Sequence, residues 1–151
     1  MEFKYKSDLT IVEETKKCIC FENANEISLI AYRWVFSDND TRNFEPTAKR
    51  PENLSHQRKC EGWALSFYDT KDNSKSAWEK IISNRKDAYM KIGTHIAEVQ
   101  IEETNGKADD VRVLDGHFNL LEYEDSNFEG KFSVIFDLIN KVEFNTLTNG
   151  I

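Results

Sequence analysis

Residues 59–80 read KCEGWALSFYDTKDNSKSAWEK. Gly62 marks a turn, and the run after it alternates. Trp63, Leu65 and Phe67 fall on one side of an extended chain; Ala64, Ser66 and Tyr68 fall on the other. The period then changes. Thr70 or Asp72 can cap a helix, Ser76 and Glu79 have capping-box spacing, and Ala77, Trp78, Ile81 and Ile82 recur at helical intervals. The stretch predicts a strand over about 63–69 followed by a helix from about 71 to at least 83. It therefore points to a domain in which sheet and helix are mixed.

Upstream, ISLIAYRWVF at 27–36 is a nearly continuous apolar run and reads as a central strand with both faces in need of cover. DLTIVEE and KKCICFEN read as two short strands that a hairpin would pair. Downstream, THIAEVQIEE alternates, TNGK at 104–107 is a turn, and short strands are expected near 111–114, at HFNLLEYE and at KFSVIFDLI, whose end also fits a helical period. The expected fold is α+β: a mainly antiparallel sheet of about seven or eight strands with one main helix after the central strand. At 151 residues the chain is of the usual size for a single domain spanning 1–151, and 18 aromatic residues spread along it give every segment something to bury.

The net charge of −7 is unevenly placed: residues 1–95 hold 16 basic and 15 acidic groups, residues 96–151 hold 4 and 12. An acidic C-terminal third argues against general nucleic-acid binding, which needs a positive face. The exception is TRNFEPTAKRPENLSHQRK at 41–59, with five Lys or Arg and both prolines, which reads as a long loop of functional type. No apolar run is long enough for a signal peptide or a membrane span, so the three cysteines, Cys18, Cys20 and Cys60, are expected as reduced thiols of a cytoplasmic protein. A zinc set of Cys18, Cys20, His56 and Cys60 lacks the spacings of structural zinc sites, and no metal is expected.

Several residues carry possible chemistry. Arg33 sits inside the apolar run, where an arginine is costly unless it meets a carboxylate or a phosphate. Glu122 and Glu124, two apart in a strand, would share a face and raise each other's pKa, or simply belong to a solvated acidic surface. His95 and His117 each follow a glycine at a strand start; either is an accessory candidate for a general base, or a strand-edge histidine that only bonds the backbone.

Arg33 on an early strand, Ser66 on a middle strand and Glu122-Tyr123-Glu124 on a late one form an order that resembles the ADP-ribosyltransferase superfamily. The run from Arg58 through KCEGWALSFYDT, a helix and HIAEVQI is also similar to the layout of the RES-type NAD-degrading toxins. The resemblance implies an NAD-using transferase or NAD glycohydrolase acting on NAD and a protein target. Arg33 would grip the pyrophosphate, Lys49, Arg50 and Arg58 would add charge, and Tyr68, Trp63 or Phe67 would stack on nicotinamide. Ser66 would orient the catalytic glutamate, Glu124 would stabilise the oxocarbenium-like ribose, and Glu122 would position or activate the acceptor. The rival expectation is a non-catalytic acidic interaction module, such as a bacterial or phage inhibitor or immunity-type protein that binds a basic partner.

Overall fold

The computed structural model describes residues 1–37 and 40–144. Among the described residues, seven strands form one antiparallel sheet: β1 (Leu29–Val35), β2 (Leu65–Tyr68), β3 (His95–Ile101), β4 (Gly106–Ala108), β5 (His117–Glu122), β6 (Ser133–Asp137) and β7 (Val142–Glu143). Their order across the sheet is β4-β5-β2-β1-β3-β6-β7, which puts the apolar run of β1 at the centre. Four helices accompany them: α1 (Lys6–Lys16), α2 (Leu54–Gln57), α3 (Lys71–Asn84) and α4 (Tyr89–Ile92). The α+β class and the antiparallel sheet are as the sequence predicts.

The change of period at 59–80 is also as expected, with shifted edges. Residues Cys60–Trp63 form a 3-10 turn, so Trp63 precedes β2 and is not part of it. Gly62 is required there, because a Cβ on it would lie 1.8 Å from the carbonyl oxygen of His56. The hydroxyl of Thr70 accepts from the N–H of Asn73 and starts α3, whose Ser74 and Trp78 turn inward four residues apart.

The N-terminal hairpin is not formed. DLTIVEE lies in α1, with Leu9 and Val12 buried three residues apart on one face, and the chain leaves the helix through Lys17 in the left-handed conformation. The expected reduced thiols are corrected with it: Cys20 and Cys60 form a disulfide, and only Cys18 is free and exposed. Residues 111–114 form a projecting loop between β4 and β5 instead of a strand. The basic segment at 41–59 is not one long loop but is broken into 3-10 turns at Thr41–Asn43 and Thr47–Lys49 and the short α2. After β6 the chain makes a turn into β7, not a helix.

The core has three parts. On one face Ala31, Leu65, Phe67, Val99, Phe118 and Leu120 meet Phe128 and the partly buried Phe44 and Phe132. Trp78 of α3 packs with Ile96, Phe136 and Leu138, flanked by Tyr32 and Trp34. Leu9 and Val12 of α1 pack with Trp63, Ala64, Leu121 and the disulfide.

One irregularity positions the site. β1 pairs with β3 through seven consecutive residue pairs, but with β2 only at Tyr32 and Tyr68. The ladder opens beyond that pair, between the two strands at the middle of the sheet.

Candidate functional site: a cationic cleft between β1 and β2

Where the ladder opens, Arg33 fills part of the gap with its guanidinium. Nε donates to the Asn43 carbonyl at 3.0 Å, Nη1 to the Ser66 carbonyl at 3.2 Å, and Nη2 to the carbonyls of Arg42 and Glu45 at 3.3 and 3.2 Å. The donors of a buried arginine are thus spent on backbone, and the side chain clamps the 42–45 turn to the edge of β2. Burial, and then the nearby charge of Arg50, pulls its pKa down to about 10, which leaves it cationic at neutral pH.

Beside this clamp lies a cavity of about 160 Å³ bordered by Arg33, Trp34, Thr47, Arg50, Ser66, Tyr68, Lys91 and Ile92. Three of these are cations and none is a carboxylate. Arg50 reaches across the cleft, with Nη1 donating to the Lys91 carbonyl at 2.7 Å. Its Nε is buried and has no hydrogen-bond partner among the described residues. Burial lowers the Arg50 pKa, and Arg42 lowers it further by like charge, against the opposing pull of Glu52, Asp40 and Glu45. A guanidinium N–H held dry and unpaired among the described residues costs stability.

The opposite wall carries Ser66 and Tyr68. Ser66 Oγ lies 2.5 Å from Nε2 of His117 on β5. Ser66 pairs with Asn119 and Tyr68 with His117, so the serine and the histidine are diagonal neighbours on one face of the sheet. Tyr68 is buried between the indole of Trp34, 5.2 Å away between ring centroids, and the edge of the His117 ring, 5.3 Å away. Burial and then Asp115 push its hydroxyl up to about 12. His117 is half-buried, and that burial together with Arg112 holds its pKa below the ordinary imidazole value, with Asp115 and Asp109 opposing.

Of the residues singled out in the sequence, Arg33, Arg50, Ser66 and Tyr68 thus border one cavity. Arg58 and the two glutamates stand apart. Arg58 is exposed at the end of α2. Glu122 and Glu124 do not share a strand face: Glu122 ends β5 and is buried, whereas Glu124 lies past the strand and is exposed. Glu122 accepts from the Ser126 hydroxyl at 2.7 Å and from Lys4 Nζ at 3.2 Å, so it latches the N-terminal segment to β5. Burial raises its pKa, and Ser126 and Lys4 pull the other way. The backbone N–H of Glu124 donates to the Glu2 carbonyl, and its carboxylate does not border the cleft. Of the aromatic candidates, Phe67 is core, stacked on Phe118, and the indole N–H of Trp63 donates to the Gln57 carbonyl.

Lys91 escaped the sequence reading because it sits on a single helical turn with no pattern of its own; it comes to the site by bordering the cavity and through its carbonyl, which accepts from Arg50. His117 was legible only as one of two histidines after a glycine. The alternation of β2 put Ser66 and Tyr68 on one face, but not the strand register that brings His117 to them.

No protein-family model matches the chain, and no curated protein and no solved structure is significantly similar to it.

Proposed function

We propose that this domain binds a phosphorylated small molecule through the cleft between β1 and β2. The observation that carries the reading is the lining: Arg33, Arg50 and Lys91 border a cavity that has no carboxylate among its described lining residues. A cavity of about 160 Å³ suits one phosphoryl group with the rest of the ligand outside. A dinucleotide such as NAD would enter by its pyrophosphate. Release of nicotinamide would further need a carboxylate beside the ribose, and Glu124 lies elsewhere, so the reading is of phosphate recognition and does not extend to the transferase reaction. Calorimetric titration with phosphate, pyrophosphate and NAD tests it. Binding should weaken at least about tenfold in Arg50→Gln and stay unchanged in Arg58→Gln. No heat of binding at millimolar ligand would refute it.

A second reading, an acidic interaction module, is favoured by the loop between β4 and β5. Val113 and Leu114 there are 103% and 92% exposed. The loop is held by the Arg112–Asp115 ion pair and by Gly116, which adopts φ +75° against Asp69. Two apolar side chains on a braced tip among Asp109, Asp110 and Asp115 suit a partner with an apolar socket and a basic rim. A photo-crosslinker placed at position 113 should give one discrete adduct that Leu114→Asp abolishes; diffuse labelling insensitive to Leu114→Asp would dismiss this surface.

A further inference from the structure

Ser66 and His117 form a pair that phosphate recognition alone does not need. A serine hydroxyl that only completes a strand is satisfied by any nearby backbone group, whereas here Oγ meets the ring nitrogen Nε2 of a histidine at 2.5 Å. Ser66 at the same time borders the cationic cavity, with its backbone carbonyl fixed by the Arg33 guanidinium. A serine paired with a histidine thus stands at the border of a cavity that cations line, the groups that covalent transfer to a nucleophile requires.

We propose that Ser66 is the nucleophile and His117 its general base in the hydrolysis of a phosphomonoester seated in the cleft. The inference rests on the phosphate-binding reading above. Ser66 Oγ attacks phosphorus as its proton passes to Nε2 of His117; the ester P–O bond on the opposite side breaks, and the departing alkoxide takes a proton from solvent water and leaves as the alcohol. A water then attacks the phosphoserine from the side opposite Oγ and gives a proton to solvent, His117 returns its proton to Oγ as the P–Oγ bond breaks, and inorganic phosphate is released. Arg50 and Lys91 stabilise the phosphoryl oxygens throughout. The cavity holds the phosphoryl group and leaves the alcohol outside, so selectivity lies with the phosphate and not with the alcohol.

The supporting electrostatics agree with the geometry. Burial and Arg112 favour the neutral imidazole, whose Nε2 lone pair accepts the serine proton in the Nδ1–H tautomer. The groups facing the ring are Ser66 and Tyr68 from β2 and Arg112, Asp109 and Asp115 from the adjoining loop.

The test uses the full chain with p-nitrophenyl phosphate as probe, comparing the parent with Ser66→Ala and His117→Gln. Phosphate binding is followed in parallel by calorimetry. Nitrophenolate release should fall at least about a hundredfold in both variants while phosphate still binds, and a phosphoryl group should be found by mass spectrometry on Ser66 of the acid-quenched parent. Parent and Ser66→Ala that bind phosphate equally well but release nitrophenolate equally slowly would overturn the catalytic inference and leave the binding reading standing. Loss of phosphate binding in the parent would remove both.

Discussion

Arg50 donates to the carbonyl oxygen of Lys91 at 2.7 Å, so the loop that carries the arginine is pinned across the cleft to the short helix that carries the lysine. Charge is gathered there at a cost, since Arg50 lowers the pKa of Arg33 and Arg42 lowers that of Arg50. Sites that concentrate like charge for a ligand are seldom optimal for the empty fold. Arg50→Gln is therefore expected to change unfolding stability by no more than about 1 kcal/mol in phosphate-free buffer while removing anion binding. Urea unfolding with and without phosphate checks both halves.

Arg33 is expected to behave in the opposite way. It serves four backbone carbonyls from the sheet interior, and no shorter or apolar side chain replaces that fork. Arg33→Met should cost about 3 to 5 kcal/mol, and Arg33→Lys should recover little of it. A change below about 1 kcal/mol in urea unfolding would show that the clamp on the 42–45 turn is dispensable.

These two arginines show how far the sequence could be read. An arginine inside ISLIAYRWVF calls for a carboxylate or a phosphate, but among the described residues Arg33 meets four backbone carbonyls instead, three from the 42–45 turn and one from Ser66 on β2, a tertiary fact that no side-chain pattern encodes. β1, β2 and α3 were legible because alternation, the Thr70 cap and a spaced apolar face all agree over 27–84. α1 was not. Its buried face is only Leu9 and Val12, it has no side-chain cap, and the exposed Ile11 completes a false alternation with Leu9. The split between β1 and β2, on which the site depends, is a matter of register, and register is set by packing of the whole sheet.

The Cys20–Cys60 disulfide closes a loop of 40 residues' separation and joins the segment after α1 to the turn before β2. Loop closure of that length is worth about 4 kcal/mol. Reduction, or Cys20→Ser, should lower stability by roughly this amount, whereas Cys18→Ser should leave it unchanged. Thiol titration of the unfolded, unreduced protein should find one free cysteine; three would contradict the linkage.

Glu122 predicts a pH dependence of definite sign. The fold raises its pKa above 4.5, so its contribution to stability is complete below that value and is lost as pH rises through the folded pKa. Glu122→Gln should flatten the fall in stability above pH 4.5 and gain up to about 1 kcal/mol at neutral pH, even with the Lys4 pair removed. His117 acts with the opposite sign. Its pKa is lowered from 6.5, so its contribution is present above 6.5 and is lost as pH falls through the folded value. Urea midpoints from pH 4 to 8 separate the two, and a steeper fall above pH 4.5 in Glu122→Gln would show the sign to be wrong.

Ser74 offers a simpler check on α3. Its Oγ is fully buried and has no partner among the described residues, while its carbonyl accepts from the Trp34 indole. Ser74→Ala removes the unpaired hydroxyl, keeps the carbonyl and favours helix, so it should stabilise the protein by about 1 kcal/mol. A loss of stability in thermal unfolding would mean that the hydroxyl has a partner after all.

The most direct test of the anion-binding cleft is a crystal structure of the protein grown with pyrophosphate. A phosphoryl group is expected between β1 and β2, beside the Arg50 guanidinium and Lys91, with Arg33 still bound to its four carbonyls. A cleft holding only water at millimolar pyrophosphate, or an Arg50 side chain turned out to solvent, would contradict it.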